Sequence, residues 1–268
     1  MTILQTIILG IVEGVTEFLP VSSTGHLILA SRVMGVADSD FLKSFEISIQ
    51  FGAILAVVVL YWRRIWESKN LWKKILVAFV PTAIIGFLGY KILKHYLLSS
   101  ASLVLWSLFL GGVVLILFEL WYKHKKELYH KTDGHQNIGI DEISYKKSFF
   151  TGLWQSLAII PGVSRSGATI MGGLAMGIGR EAIVEFSFLL AIPTMAAATG
   201  YDLLKSGASF AGQEWGLLAL GFMVSFLVAM LAIKWFIAYV KNHSFIWFGV
   251  YRIIIALVFY LLIFQFKI

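Results

Sequence analysis

The chain has 268 residues, 59% of them hydrophobic and 14% charged, with a formal charge of +7 and no cysteine. A soluble domain of that length needs far more polar surface, so the expected class is an all-α polytopic membrane protein. The apolar runs are continuous, which argues against a β-barrel, whose strands alternate over about 10 residues; the missing cysteines exclude disulfides, thiolate catalysis and a cysteine-based metal site.

The first segment, 3–34, is apolar but broken midway at Pro20. No Lys or Arg precedes Arg32, and Glu13 and Glu17 interrupt the apolar run, so no cleaved signal peptide is expected. Six stretches, near 45–62, 75–94, 101–121, 183–204, 216–236 and 245–266, each reach the length needed to span a bilayer, about 20 residues. A second broken segment, 148–179, turns at Pro161-Gly162. Its pieces, like those of the first, are too short to cross alone. Both read as re-entrant helix–turn–helix segments, tolerated where broken backbone lines a protein cavity.

A shift of 142 residues lays the two broken segments on each other. Gly10 then meets Gly152, Val21 meets Val163, Ser22 meets Ser164, Gly25 meets Gly167, Ile28 meets Ile170, and Met34-Gly35 meets Met176-Gly177. The chain therefore reads as a single membrane domain, 1–268, built of repeats 1–122 and 148–268 joined by a polar linker, 123–147. Each repeat holds one re-entrant segment and three spans. Three is odd, so the second copy is inverted, and inverted repeats place their site where the broken segments meet.

Arg63, Arg64, Lys69, Lys73 and Lys74, and six lysines of the linker, assign those two loops to the cytoplasmic side. Both termini and the first re-entrant segment then lie outside. The same placement accounts for the positive charge, so no nucleic acid is expected as a partner. His124, His130 and His135 read as solvated, Lys91 and Lys94 as snorkelling, Arg180 and Glu185 as a structural pair, and Glu46 and Gln50 as interior polar packing.

The chemistry lies in the two breaks. Glu13 and Glu17 share one helical face, Pro20 ends that helix, and Ser22, Ser23 and Thr24 can cap the next, with Gly25 and His26 in its first turn. A helix start of this kind offers free N–H groups to an anion. The second copy replaces the acids by Gln155 and Ile159 and answers Ser23 with Arg165, inside "PGVSRSGAT". Arginine suits bidentate phosphate binding, and two carboxylates suit Mg²⁺ or Ca²⁺ bridging a diphosphate. Taken singly, each residue also has a plainer use: a neutral packing acid, a satisfied histidine, serines that are caps and nothing more.

"EGVTEFLPVSSTGH" at 13–26, "FEISIQFGAILAVV" at 45–58, "PGVSRSGATI" at 161–170 and "EFSFLLAIPTM" at 185–195 together resemble the undecaprenyl-diphosphate phosphatase family, bacterial membrane enzymes linked to bacitracin resistance. The likeness runs over nearly the whole chain. It implies hydrolysis of undecaprenyl diphosphate to the monophosphate carrier of peptidoglycan synthesis, in the bacterial cytoplasmic membrane, at a site opening outward. The family's acidic motif falls on Glu13 and Glu17, its serine and histidine on Ser23 and His26, its arginine on Arg165. The expected catalytic set is Ser23, Glu17, His26 and Arg165, with Ser22, Thr24, Gly25, Ser164, Ser166, Gly167 and Thr169 binding substrate and Glu13 and Glu17 holding a divalent cation. Ser23 is the expected nucleophile, Glu17 or His26 taking its proton; a metal-bound water is the rival. Expected partners are the polyprenyl lipid, the bilayer and, as an open option, a second copy in a homodimer. The competing class is a lipid-phosphate or anion transporter or flippase on the same repeat.

Overall fold

The computed structural model describes residues 1–92, 101–130, 138–206 and 212–265. Its first half runs α1 (Ile3–Thr16), α2 (Ser23–Val33), α3 (Asp40–Leu60), α4 (Trp62–Glu67), α5 (Lys69–Ile92) and α6 (Ala101–His130). Its second runs α7 (Tyr145–Gln155), α8 (Arg165–Ala175), α9 (Arg180–Ser206), α10 (Gly212–Asn242) and α11 (Ile246–Tyr260). Helices α3, α5, α6, α9, α10 and α11 are long and apolar enough to cross a membrane, and the chain is a multi-pass membrane protein. Setting aside α4, each half is two short helices followed by three long ones.

The short helices end and start on the residues the sequence singles out. Ser22 caps α2 through the Gly25 N–H, and Ser164 caps α8 through the Gly167 N–H. Both helices stop on a glycine at positive φ, Gly35 at 64° and Gly177 at 80°. The following N–H then reaches back five residues, from Val36 to the Ser31 carbonyl and from Ile178 to that of Gly173, the closure such glycines permit.

The halves exchange packing partners. Helix α1 lies against α10 and α7 against α5, while α3 pairs with α9 and α6 with α11. Glycines allow the close approach. A Cβ on Gly10 would stand 3.0 Å from the Gly221 carbonyl oxygen of α10, and one on its counterpart Gly152 would run into the Ala78 carbonyl oxygen of α5. Gly152→Ala is therefore expected to destabilise by about 1–3 kcal/mol through overpacking. Gly200→Ala, with nothing within 4 Å, provides the control, and melting of the two variants in detergent measures the difference.

Boundaries differ from the hydropathy reading where polar side chains stay useful inside a helix. Helix α5 starts at Lys69 rather than near 75, because Lys74 donates to the Asp141 carbonyl at 2.6 Å instead of facing solvent. Helix α6 continues to His130, so the linker opens as helix, and α7 takes its last residues, capped by Ser144. The two basic loops meet at one end of the bundle, where Arg64 pairs with Asp141 and with Glu185, both at 3.1 Å. That pairing corrects one expectation: Arg180 takes Glu119 in two bonds, 2.7 and 3.0 Å, and is not the partner of Glu185. Glu119 is buried and Arg180 also lies over the Phe245 ring, so the desolvated acid selects the fork that can reach it. His124 is exposed; the readings for Lys91, Lys94, His130 and His135 fall on side chains outside the described residues.

Candidate active site

The two breaks meet in the interior. Ser164 and Ser166 of the second both donate to the Leu19 carbonyl of the first, at 3.3 and 2.8 Å. Arg252 of α11 reaches both, donating to the Pro20 and Gly162 carbonyls at 3.3 and 2.9 Å and to the Ser107 and Leu108 carbonyls of α6 at 3.0 and 3.3 Å. Room for its guanidinium comes from Gly111, where a Cβ would run into Nη2. Arg252 is buried and pairs with no carboxylate among the described residues. Sequence reasoning passed over it, although a lone arginine inside the apolar run 245–266 is a legible signal.

Across this junction Glu17 sits between two donors. It caps the end of α1, its N–H bonded to the Glu13 carbonyl. Its Oε2 accepts from Ser23 Oγ at 2.5 Å, and its Oε1 accepts from Arg165 Nη2 at 2.6 Å. Ser23 and Arg165 are the first residues of α2 and α8, so each stands where its helix presents unpaired N–H groups. Arg165 also donates through Nη1 to the Ser187 carbonyl at 2.9 Å, leaving its buried Nε without a partner. The Glu17 side chain is 3% exposed and that of Arg165 is 10% exposed, so the pair is nearly dry.

A cavity of about 500 Å³ opens over these groups. Glu17, Ser22, Ser23, Thr24, Ser164 and Arg165 form its polar floor. Ile47, Phe79, Phe87, Ile159 and Met195 make apolar walls, and Gly86, Phe87 and Tyr201 lie toward the end of α5 and α9 remote from the basic loops. Gln50 lines this cavity, with its amide 3.5 Å from the Thr24 hydroxyl. The packing role expected of it therefore holds only for Glu46, whose carboxylate accepts from Ser31 at 2.8 Å.

Not every nominated residue reaches the cavity. Gly25, Ser166, Gly167 and Thr169 do not line it. Thr169 donates to the Arg165 carbonyl at 2.7 Å, and a Cβ on Gly167 would stand 3.4 Å from that of Pro20. These four shape the junction rather than the floor. His26 is likewise turned away, bonded to Ser22 and Tyr251. Glu13 is fully buried one turn behind Glu17, and neither of its carboxylate oxygens has a hydrogen-bond partner.

An orphaned buried carboxylate beside a second one suits a hard cation, which takes oxygen ligands. Among the described residues no third acid or histidine joins them. A divalent cation there, Mg²⁺ or Ca²⁺, would have Glu13 and Glu17 as its protein ligands.

The family model described as "Bacitracin resistance protein BacA" matches residues 6–258. The chain belongs to the BacA family. Curated relatives agree along its length. The chain is similar to an undecaprenyl-diphosphatase of Aquifex aeolicus (strain VF5), 52% identical over 97% of this chain and 98% of that one. It is 50% identical to that of Sulfurihydrogenibium sp. (strain YO3AOP1), over 97% and 99%, and 50% identical to that of Bdellovibrio bacteriovorus, over 98% and 97%. The BacA match takes in both breaks and Arg252, so the whole junction lies inside the family's span.

Proposed function

We propose that this BacA-family chain is an undecaprenyl-diphosphate phosphatase, an enzyme that cleaves the terminal phosphate from the lipid and returns the monophosphate carrier to cell-wall synthesis. The observation that carries the reading is the Ser23–Glu17–Arg165 triad on the floor of a cavity with apolar walls. A cavity of this size accommodates a diphosphate and the first prenyl units, leaving the rest of the tail in lipid. Part of its lining, Gly86, Phe87 and Tyr201, lies away from the basic loops, which supports a site facing outward from the cytoplasmic membrane. The exchange of helix partners supports the inverted repeats 1–122 and 148–268 about linker 123–147 within one domain.

Ser23 Oγ attacks the terminal phosphorus and passes its proton to Glu17 Oε2, already at 2.5 Å. The new O–P bond replaces the bridging P–O bond, and undecaprenyl phosphate departs. Water then cleaves the phosphoserine, releasing inorganic phosphate and restoring the hydroxyl. Arg165 and the N–H groups at the start of α2 and α8 hold the phosphoryl oxygens as charge builds on them. In the free site Arg165 spends its charge on Glu17, so the incoming diphosphate takes over a guanidinium already aimed at the floor. Glu13 would hold a divalent cation, with Glu17 as second ligand only while its carboxylate is not taking the Ser23 proton; the cation would supply charge neutralisation to the diphosphate. The short Ser23–Glu17 bond favours serine over a bound water as nucleophile. Transport explains neither that bond nor an orphaned acid.

Phosphate release from undecaprenyl diphosphate by the purified chain in detergent is the test. EDTA is expected to stop it and Mg²⁺ or Ca²⁺ to restore it. Arg165→Lys is expected to lose at least about 100-fold, since a point charge cannot replace the bidentate fork. Release that ignores EDTA removes the cation from the reading; no release by folded wild type removes the enzyme.

A further inference from the structure

We infer that His26 is a positioning residue: it fixes the nucleophile through the backbone of Ser22, and Tyr251 holds the far side of its ring. The inference rests on the reading of Ser23 as nucleophile. Ser22 is the one non-glycine at positive φ among the described residues, at 71°, a conformation that persists only where surrounding contacts over-determine it. It directly precedes Ser23, so its backbone sets the direction in which Oγ leaves the chain. Its side chain is committed to the Gly25 N–H. Its carbonyl accepts from the His26 N–H at 3.2 Å and from the His26 ring through Nδ1 at 2.8 Å.

A carbonyl only accepts, so Nδ1 carries the proton. In the neutral ring Nε2 is then the accepting nitrogen, and Tyr251 OH donates to it at 2.9 Å, with the two rings parallel at 5.5 Å. Both nitrogens are engaged, and neither faces the floor where Glu17 already receives the Ser23 hydroxyl. Tyr251 lines a separate apolar groove with Trp235, Trp247 and Phe248, none of which lines the cavity. The order of action runs from Tyr251 to His26, to the Ser22 carbonyl, to Ser23.

A base and a positioner differ in what can replace them. Asn carries an N–H near the place of Nδ1 and cannot move a proton, whereas Gln and Ala leave the Ser22 carbonyl without that donor. In the detergent assay with undecaprenyl diphosphate, His26→Asn is expected to keep kcat within about threefold, with KM and pH profile unchanged. His26→Ala and His26→Gln should drop kcat about 100-fold, the scale of a misplaced reacting atom. Tyr251→Phe should cost a few-fold, and adding it to His26→Asn should cost nothing more. Overturning results are a His26→Asn as inactive as His26→Ala with one limb of the pH profile gone, or a Tyr251→Phe penalty that multiplies. If His26→Asn does not fold, Tyr251→Phe decides: a few-fold lower kcat with an unmoved pH profile is expected, and a shifted limb of the profile overturns the inference. Ser23→Ala is run beside them: if it stays active the nucleophile assignment falls, and if it is dead the His26 variants judge the positioning role alone.

Discussion

Ser23→Ala is expected to lower the rate of phosphate release by about 10³-fold or more, and Glu17→Gln by about 10²–10⁴, the range for loss of a general base. The double variant should be no worse than Ser23→Ala, because a nucleophile and its base act as one unit and their losses do not multiply. The argument is geometric. Ser23 Oγ and Glu17 Oε2 are 2.5 Å apart in a nearly dry site, so the proton acceptor is in place before substrate arrives. In the free site Arg165 on the other carboxylate oxygen orients Glu17 toward Ser23. Single-turnover release measures the chemical step, and gel filtration with detergent melting shows whether each variant is folded. Removing Ser23 leaves the binding groups intact, so KM should move little. Activity of Ser23→Ala within tenfold of wild type would instead make water the attacking group, with Ser23 a phosphate ligand. A phosphoserine trapped by acid quench from wild type, absent from Ser23→Ala, would close the question on the side of serine.

The sequence carried the class and most of the junction, for identifiable reasons. Continuous apolar length is a local property, so all six spans were legible. The breaks were legible because proline and hydroxyl runs are costly in lipid, and the caps fell on Ser22 and Ser164 as expected. That Glu17 and Arg165 belong to one site followed from the repeat, and the structure places them 2.6 Å apart. What the sequence could not give was direction. His26 shares a helix turn with Ser23, yet its ring leaves toward Tyr251, 225 residues later. Ser166 and Thr169 stand in the motif among the expected substrate-binding residues, and in the free site their hydroxyls donate to the carbonyls of Leu19 and Arg165. Glu119 and Arg180 pair over 61 residues, where a pattern of nearby charges suggested Glu185. In each case the partner is chosen by desolvation in three dimensions, and no spacing rule encodes it.

Arg252→Met is expected to cut kcat by about 100-fold while shifting the detergent melting point far less. Two effects oppose each other in stability. The variant leaves the Pro20, Gly162, Ser107 and Leu108 carbonyls short of a donor, each lost charged bond worth about 1–3 kcal/mol. It also removes a buried cation that has no acid beside it among the described residues, recovering a desolvation cost of several kcal/mol. These offset, so the fold survives. Nothing offsets the loss in geometry. Arg252 is the side chain that bonds to both breaks at once, and Ser23 and Arg165 stand a few residues beyond the carbonyls it holds. Slackening of about 1 Å between them suffices for the stated loss. Gly111→Ala should give a milder version, because its methyl occupies the space of Nη2 and pushes the guanidinium off its carbonyls. Measuring kcat and melting together separates the cases. Equal loss in both makes Arg252 a packing residue, and an unchanged kcat means the serine bonds to Leu19 hold the breaks unaided.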